Sequence, residues 1–143
     1  MLHETAGVEI GVTSSEITYD TITQLFFSLD KDYRKNAKWL MNDETAMQLR
    51  QLKSDSGMPL WNHNTDTIFS HEVVIMNEIP STGTPIAFGD FRHYAIVMRI
   101  PLTMNVLREK FILNGHIGYA GYEFLDAKLL RQDAVKLLKL ETV

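Results

Sequence analysis

Residues 84–99 read TPIAFGDFRHYAIVMR, and this stretch carries the strongest structural signal in the chain. Residues 86–88 are apolar, Gly89-Asp90 supplies two turn-forming residues, and residues 94–98 are apolar again. Glycine adopts positive φ without steric cost, and Gly-Asp between two β-rich runs is typical of a hairpin. The stretch therefore predicts a β-hairpin that turns at Gly89 and Asp90.

Composition limits the kinds of protein that this chain can be. Its 143 residues suit one ordinary domain, and 45% hydrophobic residues argue against disorder. A net charge of -4 gives no basic footprint for specific nucleic-acid binding. With no cysteine, the chain has neither disulfides nor thiolate metal ligands. No apolar run approaches the roughly 20 residues of a membrane helix, and the start lacks a secretory signal pattern.

The first half of the sequence predicts two helices and two short strands. Residues 8–12 alternate as in a half-buried strand, and residues 37–41 form a second strand. Thr18 and Asn42 are good helix caps, and the helix after Asn42 is expected to end near Lys53. The helix after Thr18 carries an apolar stripe that predicts core packing, namely Ile22, Leu25, Phe26 and Leu29.

The second half is expected to be mostly strands. Residues 58–70 form a long polar loop, after which residues 73–76 form a strand buried on both faces. Residues 103–106 and 134–140 predict further strands. From residue 111 a period of two places alternate side chains on one face, namely Phe111, Leu113, Ile117 and Tyr119. Helices early and strands late indicate the α+β class.

The polar motifs do not form a credible active, metal or cofactor site. Neighbours on a strand point to opposite faces, so Ser70, His71 and Glu72 cannot easily form a hydrolytic triad. The loop around His63 lacks the acidic alternation of a calcium site. The glycines at 115, 118 and 121 lack the helix start that a phosphate cradle needs. The residues therefore predict no catalytic group, no metal and no cofactor.

Three blocks, in order, resemble the bacteriophage major capsid proteins of the HK97-like fold. The first is WLMNDETAMQLRQLKSDSGMPLW at residues 39–61, and the second is FGDFRHYAIVMR at residues 88–99. The third, residues 111–138, contains an F-x-x-N spacing at Phe111 and Asn114, followed by GYEFLDAKLL and DAVKLL. The resemblance covers residues 19–141 and implies a central mixed β-sheet flanked by two helices, with long C-terminal strands.

The resemblance also implies a domain plan and a role. Residues 1–18 would be an N-terminal strand and turn, residues 19–110 the axial domain, and residues 111–143 strands returning to the peripheral domain. A loop near the capsomer axis would contact the same loop of neighbouring copies through Leu60, Trp61, Asn62, His63, Asn64, Asp66 and Phe69. Copies would form pentamers and hexamers, and these an icosahedral virion shell around non-specifically held DNA, assembled in the bacterial cytoplasm. No enzymatic turnover, small-molecule substrate or membrane is implied.

The chain departs from the family pattern in three respects. Family members have an N-terminal arm, a spine helix and an extended loop before this region, so the chain resembles their C-terminal part. Met98 stands where the second block commonly has an acidic residue. Asn114 occupies a position that forms an isopeptide crosslink in some members, but Gly121 stands where the assisting glutamate is expected. We therefore interpret Asn114 as structural.

Two alternatives stay open. An encapsulin-type shell shares the fold and would hold protein cargo instead of DNA. A small α+β enzyme or ligand-binding domain would instead need a pocket with convergent polar groups, for which Asp90 and His93 are the candidates.

Overall fold

The computed structural model describes residues 8–54, 57–110 and 112–141. They form two compact units: residues up to His93 with those from Leu129 onward, and Tyr94–Lys128. The predicted boundaries after residues 18 and 110 differ from this division, because residues 9–14 and 135–140 pair with each other inside the first unit. The assignment of axial and peripheral domains stays a prediction.

The helices lie in the first unit and follow the predicted caps. They are α1 (Tyr19–Ser28), the short α2 (Lys31–Arg34), and α3 (Asp43–Gln51), which ends two residues before the predicted Lys53. The Thr18 hydroxyl accepts a bond from the Thr21 N–H at 3.3 Å. The Asn42 Oδ1 accepts one from the Thr45 N–H at 2.7 Å. The predicted core stripe is confirmed, with Phe26 half-buried and the other three members buried.

The first unit contains a seven-stranded mixed sheet in the order β1-β9-β6-β2-β5-β4-β3. Strands β1 and β9 are parallel, as are β2 and β5, and the other neighbouring strands in this order are antiparallel. The α+β class with a mixed sheet and two flanking helices is therefore confirmed. The strands of this sheet are β1 (Glu9–Ser14), β2 (Lys38–Met41), β3 (Trp61–Asn62), β4 (Thr67–Ile68), β5 (His71–Ile75), β6 (Ile86–Gly89) and β9 (Val135–Leu140).

The core of the first unit is built around two aromatic side chains on neighbouring strands. The rings of Trp39 and Phe88 stack with their centroids 4.1 Å apart, and Trp39 lies opposite Phe88 in the β2–β6 ladder. The Trp39 indole N–H donates to the carbonyl of Ile68 at 3.1 Å, so its polar atom is satisfied inside the core. Offset stacking adds to the burial of two large apolar surfaces.

The predicted hairpin at Gly89 and Asp90 is wrong. Strand β6 lies between β2 and β9, whereas the strand that follows, β7 (Tyr94–Leu107), pairs with β8 (Gly118–Leu129) in the second unit. A Cβ on Gly89 would lie 2.4 Å from the carbonyl oxygen of Ala134. Glycine is needed at this position because the backbone that enters β9 approaches closely. It is not needed to give a turn its positive φ.

Strand β5 is also more exposed than the sequence predicts. It has β2 on one side and β4 on the other, but β4 pairs only with His71 and Glu72. Residues 73–75 therefore lack a strand on that side, and Ile75 is exposed. The expected burial on both faces is wrong: Val73 and Val74 are only half-buried and Ile75 and Met76 are exposed, because β4 is two residues long and leaves this part of β5 at the edge of the sheet.

The second unit is a pair of long strands, β7 and β8. The short strand predicted at residues 103–106 is part of the 14-residue β7. The extended run predicted from residue 111 is wrong over Ile112–Asn114, which forms a 3-10 helix, and Gly115 follows with φ of 67°. Phe111 lies outside the described residues. In the part of the chain that the structure describes, no helix is long and apolar enough to cross a bilayer.

Candidate functional site

The loop predicted at residues 58–70 contains two short strands, and the sequence missed both. Trp61 pairs with Ile68 and Asn62 with Thr67, so residues 61–68 form a small hairpin, here called the tip hairpin. Residues 63–66 make its turn. The hairpin is tied to the sheet because β4 also pairs with β5. The sequence showed polar residues here but gave no sign that Trp61 and Ile68 are buried.

The seven residues predicted as a contact loop fall into two groups. Leu60 and Trp61 are buried and Phe69 is half-buried, so these three side chains pack with the core. The other four are exposed on the tip hairpin, namely Asn62, His63, Asn64 and Asp66. A surface built from this hairpin therefore presents amides, an imidazole and a carboxylate, while the aromatic residues hold it in place.

The carboxylate of Asp66 connects the turn to helix α3. Its Oδ1 accepts a bond from the Arg50 Nη2 at 2.7 Å and from the Trp61 indole N–H at 3.0 Å. The Arg50 guanidinium also lies over the Trp61 ring, 4.7 Å from its centroid. Asp66 has φ of 51°, a left-handed conformation in which Asp is several-fold more common than most other non-glycine residues. We call these three residues the Arg50 cluster.

Two further residues with positive φ directly follow the tip hairpin. Phe69 has φ of 49° and Ser70 has φ of 65°. Such conformations cost of order 1–3 kcal/mol each and persist only where the surroundings impose them. The Phe69 ring packs against Phe26 and Tyr19, with centroids 5.2 and 6.1 Å away. Helix α1 therefore packs against Phe69, directly after the hairpin, whereas α3 contacts Trp61 and the turn through Arg50.

Local hydrogen bonds order the exposed turn itself. The Asn64 N–H donates to the Asn62 Oδ1 at 3.0 Å, and the hydroxyls of Thr65 and Thr67 lie 2.8 Å apart. The first is an Asx-type bond from side chain to backbone, and the second joins two side-chain hydroxyls. The tip is thus a preformed polar surface that can donate and accept hydrogen bonds.

Asp90 and His93, the candidates for a ligand pocket, already have partners. Asp90 is 1% exposed, and its carboxylate accepts bonds from the Arg92 Nε at 3.0 and 3.2 Å and from Nη2 at 2.7 Å. The Arg92 side chain holds the pKa of Asp90 below its ordinary value of 3.8, although burial acts in the opposite direction. The His93 ring packs edge-on against Tyr33. This geometry indicates a structural ion pair.

The remaining polar motifs also have structural partners. The His71 Nδ1 lies 3.1 Å from the carbonyl oxygen of Ala37, and Glu72 forms a 2.7 Å ion pair with Lys38. Ser70, His71 and Glu72 therefore do not act as a triad. Across residues 8–54, 57–110 and 112–141, no three His, Asp or Glu side chains converge as a metal site would require.

Asn114 is exposed and ends the 3-10 helix that precedes Gly115. The F-x-x-N spacing cannot be followed further, because Phe111 lies outside the described residues. The structural interpretation of Asn114 stays a prediction.

A second surface, which the sequence did not reveal, lies on β7. Alternate residues from 94 to 106 are all apolar, and alternation places them on one face of the strand. Those most exposed are Ile96, Met98, Leu102 and Met104, at 55–67%. A Cβ on Gly121 would lie 3.8 Å from Leu102, so that part of β8 shares this face. We call it the apolar ribbon face; its unbroken alternation over 13 residues was the signal that could have found it.

The chain is similar in sequence to one protein family and in fold to several solved structures. The sequence model of the phage capsid family matches residues 1–140. The capsid of an empty GTA particle is 26% identical, with a TM-score of 0.74, over 94% of this chain and 48% of that one. A structure from Gordonia phage Cozz is 10% identical with a TM-score of 0.68, over 100% and 53%. A virus-like particle from Pyrococcus furiosus is 13% identical with a TM-score of 0.61, over 95% and 58%.

The chain thus spans about half the length of the solved chains that it matches. No curated protein matches it by sequence.

Proposed function

Because this chain belongs to the phage capsid family, we propose that it is the shell-forming C-terminal part of a major capsid protein. Many copies of the whole protein assemble into pentamers and hexamers, and these close into an icosahedral shell around DNA. The protein acts as a structural subunit and not as an enzyme. The match of the family model to residues 1–140 is the observation that carries this proposal.

The fold supports the same interpretation. The mixed sheet with two flanking helices is shared with the matched capsid of the GTA particle, at 26% identity, so the HK97-like fold expected from the sequence is confirmed. In this proposal the first unit is the axial domain and the second unit belongs to the peripheral domain. Strand β9 is then part of the axial sheet, between β1 and β6.

The tip hairpin is proposed to meet its equivalents around the capsomer axis. Its exposed residues are polar and hydrogen-bonded into a fixed shape, as a repeated symmetric contact requires. Trp61 and Leu60, which the sequence suggested as contacts, instead support the hairpin from the core. The contact is therefore assigned to the turn from Asn62 to Asp66.

The packaged DNA is proposed to be held without sequence preference. The net charge of -4 offers no basic surface, so enclosure by the shell rather than attraction to this region would retain the nucleic acid. The virion shell is then the protein's final location, after assembly in the cytoplasm of a bacterial host.

An encapsulin-type shell is the second candidate. The virus-like particle from Pyrococcus furiosus favours it, but at 13% identity that likeness supports only the fold. The third candidate, a small ligand-binding or enzymatic domain, is disfavoured because the carboxylate of Asp90 already forms an ion pair with Arg92. The two shell candidates differ in what the shell contains, which is DNA for the capsid and protein for the encapsulin-type shell.

The test is negative-stain electron microscopy of the protein produced from its native locus, with the upstream coding sequence retained. We expect closed shells that contain nuclease-protected DNA. Shells filled with a protein would identify the encapsulin-type function. A soluble, folded product that stays dispersed would contradict both shell functions.

A further inference from the structure

We propose that Arg50 is a positioning residue for assembly. Through Asp66 and Trp61, it fixes the shape in which the tip hairpin is presented to neighbouring copies. This inference rests on the proposed function, because it takes the tip hairpin as the contact surface. It adds a residue of helix α3 that does not lie on that surface.

The geometry of the Arg50 cluster is that of a brace. Arg50 is in the last turn of α3, and its guanidinium contacts the indole of Trp61 on β3 and the carboxylate of Asp66 in the turn. Asp66 in turn accepts the indole N–H. Three contacts among three residues therefore determine where the turn lies relative to the helix.

The hairpin needs such a brace because its own strands are short. Strands β3 and β4 have two residues each, and Asp66 is in the left-handed region. A two-stranded hairpin is marginal by itself in water. Strand pairing with β5 holds Thr67 and Ile68, but the turn at residues 63–66 extends beyond that pairing. Arg50 reaches this turn from outside the hairpin, through Asp66.

The pair is not expected to matter much for global stability. The Arg50 and Asp66 side chains are 45% and 67% exposed, and exposed ion pairs contribute little. A preformed contact surface, however, avoids the cost of ordering a loop each time two copies meet. That saving is repeated at each contact around a symmetry axis, so assembly is more sensitive than folding.

The structure offers a matched control in Lys38 and Glu72. This pair has the same 2.7 Å separation, and its side chains are 49% and 63% exposed. It connects β2 with β5. Glu72 pairs through its backbone with Thr67 of the tip hairpin, but its carboxylate bonds Lys38 and not the turn. Loss of Lys38 therefore removes an equivalent exposed ion pair while leaving the turn braced.

The first measurement follows the indole N–H signals of the chain by NMR. Trp39 and Trp61 are the two tryptophans, and Trp39 donates to Ile68 inside the core, so it reports the fold independently. In Arg50→Met and Asp66→Asn, we expect the Trp61 signal to shift and exchange faster with water, and residues 63–66 to become mobile. In these two variants, the Trp39 signal should stay as in the wild type. In the control variant Lys38→Met, the Trp61 signal should stay as in the wild type. An unchanged Trp61 signal in Arg50→Met would overturn the proposal.

The second measurement counts shells by electron microscopy, per amount of folded protein from the native locus. We expect about tenfold fewer shells for Arg50→Met, since the contact surface must then be ordered on association. Lys38→Met should assemble normally. Arg50→Lys, which can keep the ion pair with Asp66 but not the flat stacking on Trp61, should restore assembly in part.

The two measurements separate failure of the inference from failure of the proposed function. If the wild-type protein forms shells and Arg50→Met forms as many despite a mobile turn, the positioning role is wrong while shell assembly stands. If the wild type forms none, the proposed function fails, and the assembly role of Arg50 fails with it. A loss of shells equal to that of Lys38→Met would also overturn the role.

Discussion

Gly89 is the residue on which the central sheet depends most directly. A Cβ there would lie 2.4 Å from the Ala134 carbonyl oxygen and 2.6 Å from the Val135 Cα. Both are backbone atoms of the segment entering β9, so they cannot rotate away. The glycine therefore permits β6 and β9 to pair closely at Gly89 and Val135.

Replacing Gly89 by alanine is expected to lower the free energy of unfolding by about 1–3 kcal/mol, through overpacking against backbone. Urea unfolding followed by far-UV circular dichroism measures it. Gly121→Ala is the control, because its nearest side-chain atom would be 3.8 Å away. A Gly89→Ala protein as stable as the wild type would show that the close approach is not required.

Asp90 is expected to make the stability of the first unit depend on pH in the acidic range. The Arg92 side chain lowers the pKa of Asp90 in the folded protein below 3.8, so the folded state favours the ionised carboxylate. This contribution is complete above the unfolded pKa and is lost as the pH falls through the lower folded value. Asp90→Asn removes it at every pH.

We expect Asp90→Asn to be less stable than the wild type at pH 7 by about 1–3 kcal/mol, as for a buried charged hydrogen bond. The difference should shrink as the pH falls below about 4, where the carboxylate of the unfolded chain becomes protonated, and should be lost once the pH is below the lower folded pKa. Urea midpoints of both proteins across this pH range test it. A difference that stays constant with pH would mean that the charge of Asp90 is not what matters.

Among the elements, the helices were predictable from sequence and the strand pairings were not. Thr18 and Asn42 cap their helices through bonds to residues three positions later, so the signal is local. Strand β6, in contrast, pairs with β2 and β9, which begin 48 residues before and 49 residues after it in the chain. Gly-Asp indicated a turn, but the nearest strand in sequence was not the partner in the sheet.

The cap of α3 gives a test at this level. Asn42→Ala is expected to cost about 0.5–2 kcal/mol, because the Thr45 N–H loses its acceptor. Asn42→Asp, which keeps an acceptor at the same place, should stay close to the wild type. Thermal and urea unfolding measure both variants. Equal loss in the two would indicate that the amide group of Asn42, and not the cap, is what the helix needs.

For the candidate site, the sequence indicated an exposed polar segment but not which of its side chains are exposed, and the contact role of this segment stays a prediction. The sequence located it at residues 60–69, and the exposed turn from Asn62 to Asp66 lies there. It could not separate exposed from buried members, because the burial of Trp61 depends on the long-range packing of the whole sheet. Arg50 was missed for the same reason, since it lies 16 residues before Asp66 in the chain.

The two units of the chain differ in how much of their apolar side-chain surface is buried. In the first unit, the central sheet has Trp39, Phe88 and Leu138 buried against the helices and neighbouring strands. In the second unit, β7 and β8 pair with each other, and most of their large apolar side chains are exposed. Large exposed apolar patches on a protein mark interaction surfaces or aggregation sites. The second unit is therefore expected to govern how copies of this chain behave in solution.

We expect this chain to self-associate through the apolar ribbon face. The double variant Leu102→Glu with Met104→Glu places charges on that face, where the side chains are 67% and 62% exposed, and should shift the chain towards monomer in sedimentation velocity. Thr103→Glu with Asn105→Glu is the matched control, because alternation puts these positions on the opposite face of β7. If both variants dissociate alike, net charge rather than the ribbon face controls association. A wild-type chain that is monomeric at all concentrations would contradict the prediction outright, since its exposed leucine and methionine side chains would then have no attraction for a second copy.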